Sequence, residues 1–296
     1  MLYYGGNLLV NGAGTLASRL GVSRLVIGLT VVAFGTSAPE LAATVASALQ
    51  GVPELAIGNI IGSNIANIAL ILGASSVLYA LQSNWHFLRV EMVMMVVVGA
   101  LLLPLFLDGR VSRLEGAGLL VLLGGYLWYM FAGSSTNLPE VDVGDKSAPL
   151  WRSVTGVVIG VALLVGGAQA LVTGAVSIAR AVGISEAVIG LTLIAFGTSL
   201  PELASSIVAA LKRESEMILG NIVGSNIFNV LAVLGITVLI KPLEEPFALV
   251  RTDIFIMLGF SVALPLLMLS GSRLGRVEGI VLLIAYTGFV VGRYLF

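Results

Sequence analysis

Two glutamates sit where a carboxylate is costly to place. Glu40 and Glu202 each follow a proline directly, in "GTSAPE" and "GTSLPE", inside the apolar runs 25–49 and 187–211. Runs of that length can cross a bilayer, and an ionisable group within one marks a functional position by default. Proline has no backbone N–H to donate and its ring crowds the preceding turn. Pro39 and Pro201 are therefore expected to free carbonyl oxygens near Gly35 and Thr36, and near Gly197 and Thr198. A second stretch adds side-chain oxygen. Asn59, Ser63 and Asn67 recur at i, i+4 and i+8 and so share one helix face, and Asn221, Ser225 and Asn229 repeat the spacing. Carboxylates, amide oxygens, hydroxyls and freed carbonyls, without a soft ligand, form a set that suits calcium, sodium or magnesium and not zinc or copper.

The elements that must hold these groups are membrane helices. The chain is 58% hydrophobic and 10% charged, with a mean hydropathy of +1.06, far outside the range of soluble globular domains. Apolar runs recur at 2–18, 25–49, 55–81, 87–107, 114–132, 153–179, 187–211, 217–240, 247–270 and 277–296, which predicts an all-α membrane protein of about ten transmembrane helices. A β-barrel would instead show short segments of alternating polarity. The net charge of −1 carries no information on partners, and the absence of cysteine excludes disulfides and thiolate metal sites. The first apolar run has neither a basic start nor a small-residue cleavage site, so it is expected to belong to the mature protein.

The chain repeats itself. "GVSRLVIGLTVVAFGTSAPELA" from Gly21 returns as "GISEAVIGLTLIAFGTSLPELA" from Gly183, and "GNIIGSNIANIALILG" from Gly58 returns as "GNIVGSNIFNVLAVLG" from Gly220, both 162 residues on. Five helices per copy reverse the second copy in the membrane, giving an inverted-topology repeat with its pseudo-twofold axis in the membrane plane. That axis would bring both broken helices and both carboxylates together near the midplane. The expected organisation is a first five-helix repeat over 1–132, a cytoplasmic linker over 133–150 and a second repeat over 151–296. The linker acids Glu140, Asp142 and Asp145 are read as a solvated connection. Met1 aligns with Leu163, whereas the sixth helix begins near Trp151, so the first helix is expected to be truncated by roughly a dozen residues relative to its twin. With the N-terminus outside, nine Lys and Arg fall on the inner side and six on the outer, which favours that orientation.

Other features have plainer readings. Gly58, Gly62, Gly220 and Gly224 suit close helix packing. His86 reads as an interfacial side chain, and Arg89 with Glu91, like Arg251 with Asp253, as interfacial anchors or local ion pairs. Snorkelling does not explain Glu40 and Glu202, which lie deep in their runs.

"GTSAPE" with "GNIIGSNIAN", repeated as "GTSLPE" with "GNIVGSNIFN", resembles the two α-repeats of the sodium/calcium exchanger family, of the prokaryotic type, within the calcium:cation antiporter superfamily. The resemblance covers the whole chain. It implies that calcium and sodium compete for one central cluster with access alternating between the two faces. It also implies as ligands Glu40, Glu202, Thr36, Thr198, Ser37, Ser199, Ser63, Ser225, Asn67 and Asn229, with backbone oxygens of Ala33, Ala195, Thr36 and Thr198. Many relatives carry Asp at the position of Asn229, whereas here both copies have Asn, leaving two central carboxylates, enough to neutralise one Ca2+. The large cytoplasmic regulatory domains of animal relatives have no counterpart in the short linker.

The resulting expectation is a multi-pass antiporter of a prokaryotic plasma membrane, exchanging Ca2+ for Na+ as the first and sixth helices slide across a rigid core. An empty site with two unpaired buried carboxylates is too costly to cross, and that couples the two ions. The implied partners are Ca2+, Na+ and the lipid bilayer. No cofactor, no nucleic acid and no obligate protein partner is implied. Proton/calcium exchange is the alternative within the class, and a cation channel the alternative outside it. No nucleophile–base set or phosphate loop points to an enzyme.

Overall fold

The computed structural model of the chain describes residues 1–82, 85–133, 149–182, 195–269 and 273–295. Most of the inter-repeat linker, the segment 183–194 that opens the second copy of the motif and the side chain of His86 lie outside the described residues.

Helix α1 (Leu2–Leu20) stops at Gly21, whose left-handed backbone (φ 66°) lets its N–H close on the Ala17 carbonyl. Ser23 then caps the next helix by accepting the Val26 N–H at 3.2 Å. Helix α2 (Arg24–Thr36) contains a π-helical stretch, Gly28–Val32, and is followed by α3 (Ala38–Leu49), bent from it by 43°. The break falls on Ser37 (φ −81°, ψ 6°), because Pro39 sits in the first turn of α3, where its missing N–H is not needed. Helix α4 (Pro53–Leu78) crosses the molecule with a π-helical stretch at Asn67–Leu72. Helices α5 (Trp85–Ala100, extended by the turn Leu102–Leu105) and α6 (Arg113–Gly133) follow.

The second half repeats the plan. It holds α7 (Leu150–Ala181), the short α8 (Ala195–Thr198), and α9 (Leu200–Leu211), with Pro201 in its first turn after a break at Ser199 (φ −86°, ψ 4°). Helix α10 (Ser215–Ile240) has its π-helical stretch at Asn229–Leu234, and α11 (Phe247–Met268) and α12 (Arg276–Leu295) complete the fold.

Among the described residues six helices are long and apolar enough to span a membrane, seven if the bent pair α2–α3 is one span. The expected ten require α1, α12 and the segment leading into α9 as well. Burial sorts the spans: 72% and 89% of the α4 and α10 windows are buried, against 22% to 39% for α5, α6, α7 and α11. The two polar-lined helices thus form the centre. Peripheral helices turn side chains such as Val121, Trp128, Ile178 and Ile284 outward, the arrangement that hydrocarbon solvent stabilises.

The twofold relation is legible in the contacts. Two-residue strands in the interhelical loops pair antiparallel, Leu81 with Leu274 and Val111 with Leu243. Leu81 and Leu243 are repeat twins, so each loop of one half pairs with a non-twin loop of the other. The ion pair of Arg24 with Glu214 has no twin, since residue 52, the counterpart of Glu214, is Val.

Backbone contact locks α2 onto α10. A Cβ added to Gly224 would lie 2.5 Å from the Leu29 carbonyl oxygen, and one on Gly220 2.5 Å from that of Leu25. Neither carbonyl can move without the helix, so Gly224→Ala is expected to destabilise the protein by about 1–3 kcal/mol. A lowered Tm in detergent checks this; an unchanged Tm would mean that α2 can stand off α10 freely.

Candidate cation site

The breaks at Ser37 and Ser199 meet the centres of α4 and α10, and two pairs of polar contacts between them are twinned across the pseudo-twofold axis. Ser37 Oγ lies 3.2 Å from Glu202 Oε1, and Ser199 Oγ 3.2 Å from Glu40 Oε1. Thr36 donates to Asn221 Oδ1 at 3.2 Å, and Thr198 to Asn59 Oδ1 at the same distance. Each repeat therefore completes the polar shell of the other, which only the inverted pairing of the broken helices can arrange.

The site is buried. Glu40 and Glu202 are each 1% exposed, and Thr36, Ser37, Ser63, Ser199, Ser225, Asn67 and Asn229 are all buried. Thr198 is half-buried. Ser63 Oγ is 3.2 Å from Ser199 Oγ, tying α4 to the second break. The Ala33 carbonyl, an expected backbone ligand, accepts the Ser37 N–H at 3.0 Å and lies 3.4 Å from Thr36 Oγ1. Ala195 opens the short helix α8 at the equivalent place.

Buried oxygens are normally paired. Here Glu40 Oε2, Glu202 Oε2, Asn67 Oδ1, Asn229 Oδ1 and Ser225 Oγ are buried without a hydrogen-bond partner among the described residues. Four of these five are twins. Two carboxylate oxygens and two amide oxygens left unpaired at a buried centre match what a hard cation takes, and leaving them so without one is costly.

The structure also separates ligand candidates from supports. Asn59 and Asn221, on the same face as Ser63 and Ser225, use their amides on protein partners. Asn59 Nδ2 donates to the Glu40 carbonyl at 3.1 Å and to Thr44 Oγ1 at 2.8 Å, and Asn221 Nδ2 to Ser206 Oγ at 3.5 Å. Their oxygens accept from Thr198 and Thr36, so these asparagines orient the threonines. Asn64 and Asn226, not singled out from the sequence, bridge the two central helices. Asn67 Nδ2 donates to Asn226 Oδ1, and Asn229 Nδ2 to Asn64 Oδ1, both at 3.0 Å. The i+1 offset from Ser63 and Ser225 places them off the i, i+4, i+8 face, and their presence in both copies was the available signal.

Glu91 departs from its expected interfacial role. It is buried on α5, and Arg89, which is exposed, makes no salt bridge with it. The α5 helix starts early enough that Glu91 lies inside it and not at its rim.

Comparison with known proteins places this geometry. The sequence profile described as sodium/calcium exchanger protein matches residues 1–132 and 152–295. The putative antiporter CaxA of Alkalimonas amylolytica is 38% identical over 302 residues, covering 98% of this chain and 94% of that protein. The sodium/calcium exchanger MaX1 of Methanosarcina acetivorans is 32% identical over 334 residues, with the same coverage of both. Among solved structures, the sodium-calcium exchanger NCX_Mj soaked with 10 mM Na+ and zero Ca2+ superposes with a TM-score of 0.86 at 34% identity, covering 98% of this chain and 94% of that one. Duplicated motifs, helical membrane fold, twinned oxygen-lined centre and full-length similarity lead to one assignment: the chain belongs to the sodium/calcium exchanger family.

Proposed function

We propose that the protein is a secondary antiporter that exchanges Ca2+ for Na+ at one central site by alternating access. Family membership supports the coarser statement, cation exchange with calcium among the cargo. The finer one rests on a single observation, the cluster of unpaired buried oxygens on Glu40, Glu202, Asn67, Asn229 and Ser225. In this reading Glu40 and Glu202 neutralise one Ca2+. Sodium ions would instead spread over the same carboxylates and over the hydroxyls of Thr36, Ser37, Thr198, Ser199 and Ser63, with the backbone oxygens of Ala33, Ala195, Thr36 and Thr198 completing the shells.

Alternating access would come from α1 and α7. These helices meet through backbone, a Cβ on Gly160 falling 2.6 Å from Leu9 N, and α7 also covers both breaks, through Val161 at Gly35 and Val172 at Gly197. Close glycine-lined contacts of this kind hold α1 and α7 together, so that the pair would move as one unit across the breaks. In this reading the protein sits in a prokaryotic plasma membrane with its N-terminus outside, an orientation supported by the excess of Lys and Arg on the inner side.

An exchanger and a channel differ in what the far side must supply. Proteoliposomes loaded with 45Ca2+ are expected to release label only when Na+ or Ca2+ is present outside. Equal release into ion-free buffer would mark a channel. Because a proton on either carboxylate removes a charge that calcium needs, Na+-driven Ca2+ uptake is also expected to fall as pH is lowered. Flux that holds constant through acid pH would place the carboxylates outside the transport site.

A further inference from the structure

Asn64 and Asn226 are orientated from below by atoms that can act in one way only. Asn64 Nδ2 lies 3.4 Å from the Asn226 backbone oxygen and 3.5 Å from Met257 Sδ. A carbonyl and a thioether accept and never donate, and a helical carbonyl keeps a second lone pair for such a bond. Turning the Asn64 amide over would set oxygen against oxygen and sulfur. Its Oδ1 therefore faces the other way, where it takes Asn229 Nδ2 at 3.0 Å. That bond in turn fixes Asn229, whose Oδ1 is left facing elsewhere, buried and without a protein partner among the described residues.

The twin chain runs identically. Asn226 Nδ2 meets the Asn64 backbone oxygen at 3.3 Å and Met95 Sδ at 3.6 Å, Asn226 Oδ1 accepts from Asn67 Nδ2, and Asn67 Oδ1 is left over. Two backbone carbonyls thus determine which end of two further amides is free.

We infer that Asn64 and Asn226 are positioning residues that hold the Asn229 and Asn67 carboxamides with oxygen, and not N–H, toward the transported cation, and so set the affinity of the site. The inference rests on reading Asn67 and Asn229 as cation ligands. An asparagine side chain is nearly symmetric in shape, and its two ends have opposite polarity. A site that uses a neutral amide where a carboxylate would present oxygen either way needs a device of this kind. Without the acceptor on Asn64, the Asn229 NH2 would turn to other acceptors, and the unpaired oxygens nearby belong to the cation cluster itself, so the N–H would compete with the ion.

The test is equilibrium 45Ca2+ binding to the purified full-length protein in Na+-free detergent buffer. Asn64→Leu, close in volume and unable to accept, is expected to weaken binding at least tenfold. In an Asn229→Asp background, where either carboxylate oxygen serves and Asn64 Oδ1 no longer receives a hydrogen bond, the same change is expected to weaken binding less than twofold. A packing role that does not pass through the bond to Asn229 would give equal shifts in both backgrounds. Asn226→Leu, with Asn67→Asp as its background, repeats the experiment through the other chain should the first variant not purify. Equal shifts in the paired backgrounds, or wild-type affinity in the single variants, would overturn the positioning role and leave the calcium site standing. Failure of the wild-type protein to bind 45Ca2+ would overturn the site reading and this inference with it.

Discussion

Glu202→Gln is expected to reduce Na+-driven Ca2+ flux at least a hundredfold while leaving the protein folded. Glu40 and Glu202 are twins in sequence and in contacts, each meeting a serine of the opposite repeat at 3.2 Å and each buried with Oε2 unpaired. The amide keeps the shape and the contact with Ser37 but removes one of two negative charges facing a divalent ion. Two unit charges 4 Å apart interact by about 4 kcal/mol at an effective dielectric of 20, so a loss of two to three orders of magnitude in affinity is the natural scale. Glu40→Gln should match it. Flux assays paired with thermal melts separate lost binding from lost fold; near wild-type flux from either variant would remove the carboxylate pair from the mechanism.

Asn229→Asp carries the second largest expected effect, in the opposite direction. A third carboxylate beside the pair would over-neutralise Ca2+ and suit a sodium load of higher total charge. Half-maximal Na+ concentration is expected to fall about tenfold, on the same electrostatic scale, with slower Ca2+ release. The aspartate would also set a carboxylate oxygen against Asn64 Oδ1, which now accepts from the Asn229 amide, so a lower Tm should accompany the change. Dose–response curves for Na+ inhibition of 45Ca2+ uptake measure the first effect. An unchanged Na+ response would mean that residue 229 does not face the ions.

The polar centre was legible in the sequence because its elements are repeated. Pro39, Glu40, Ser63 and Asn67 each return at the same offset, and a buried carboxylate in an apolar run has few structural explanations. The position of each break was less so. Proline pointed to carbonyls freed near Gly35 and Thr36, and the turn itself falls on the next residue, Ser37, and on Ser199 in the second copy, because proline is accommodated in the first turn of the following helix. Asn59 and Asn221 share a face with the serines, yet whether an amide binds an ion or braces a threonine depends on the partner helix, which periodicity does not encode. The Asn64–Asn229 bridge was hidden for the same reason: it joins residues 165 apart. Glu91 looked interfacial from its neighbour Arg89, and its burial is set by packing that no local pattern displays.

The central claim is that sodium, moving the other way, drives calcium through the Glu40–Glu202 site. It is tested most directly by 45Ca2+ uptake into proteoliposomes of the purified protein under two gradients, an outward Na+ gradient at equal pH and a pH step in Na+-free vesicles. Thr36, Ser37, Thr198 and Ser199 supply the neutral oxygens that sodium needs and a proton does not. The account predicts strong uptake under the Na+ gradient, lost in Glu202→Gln, and little under the pH step. Robust uptake driven by the pH step without sodium would contradict it.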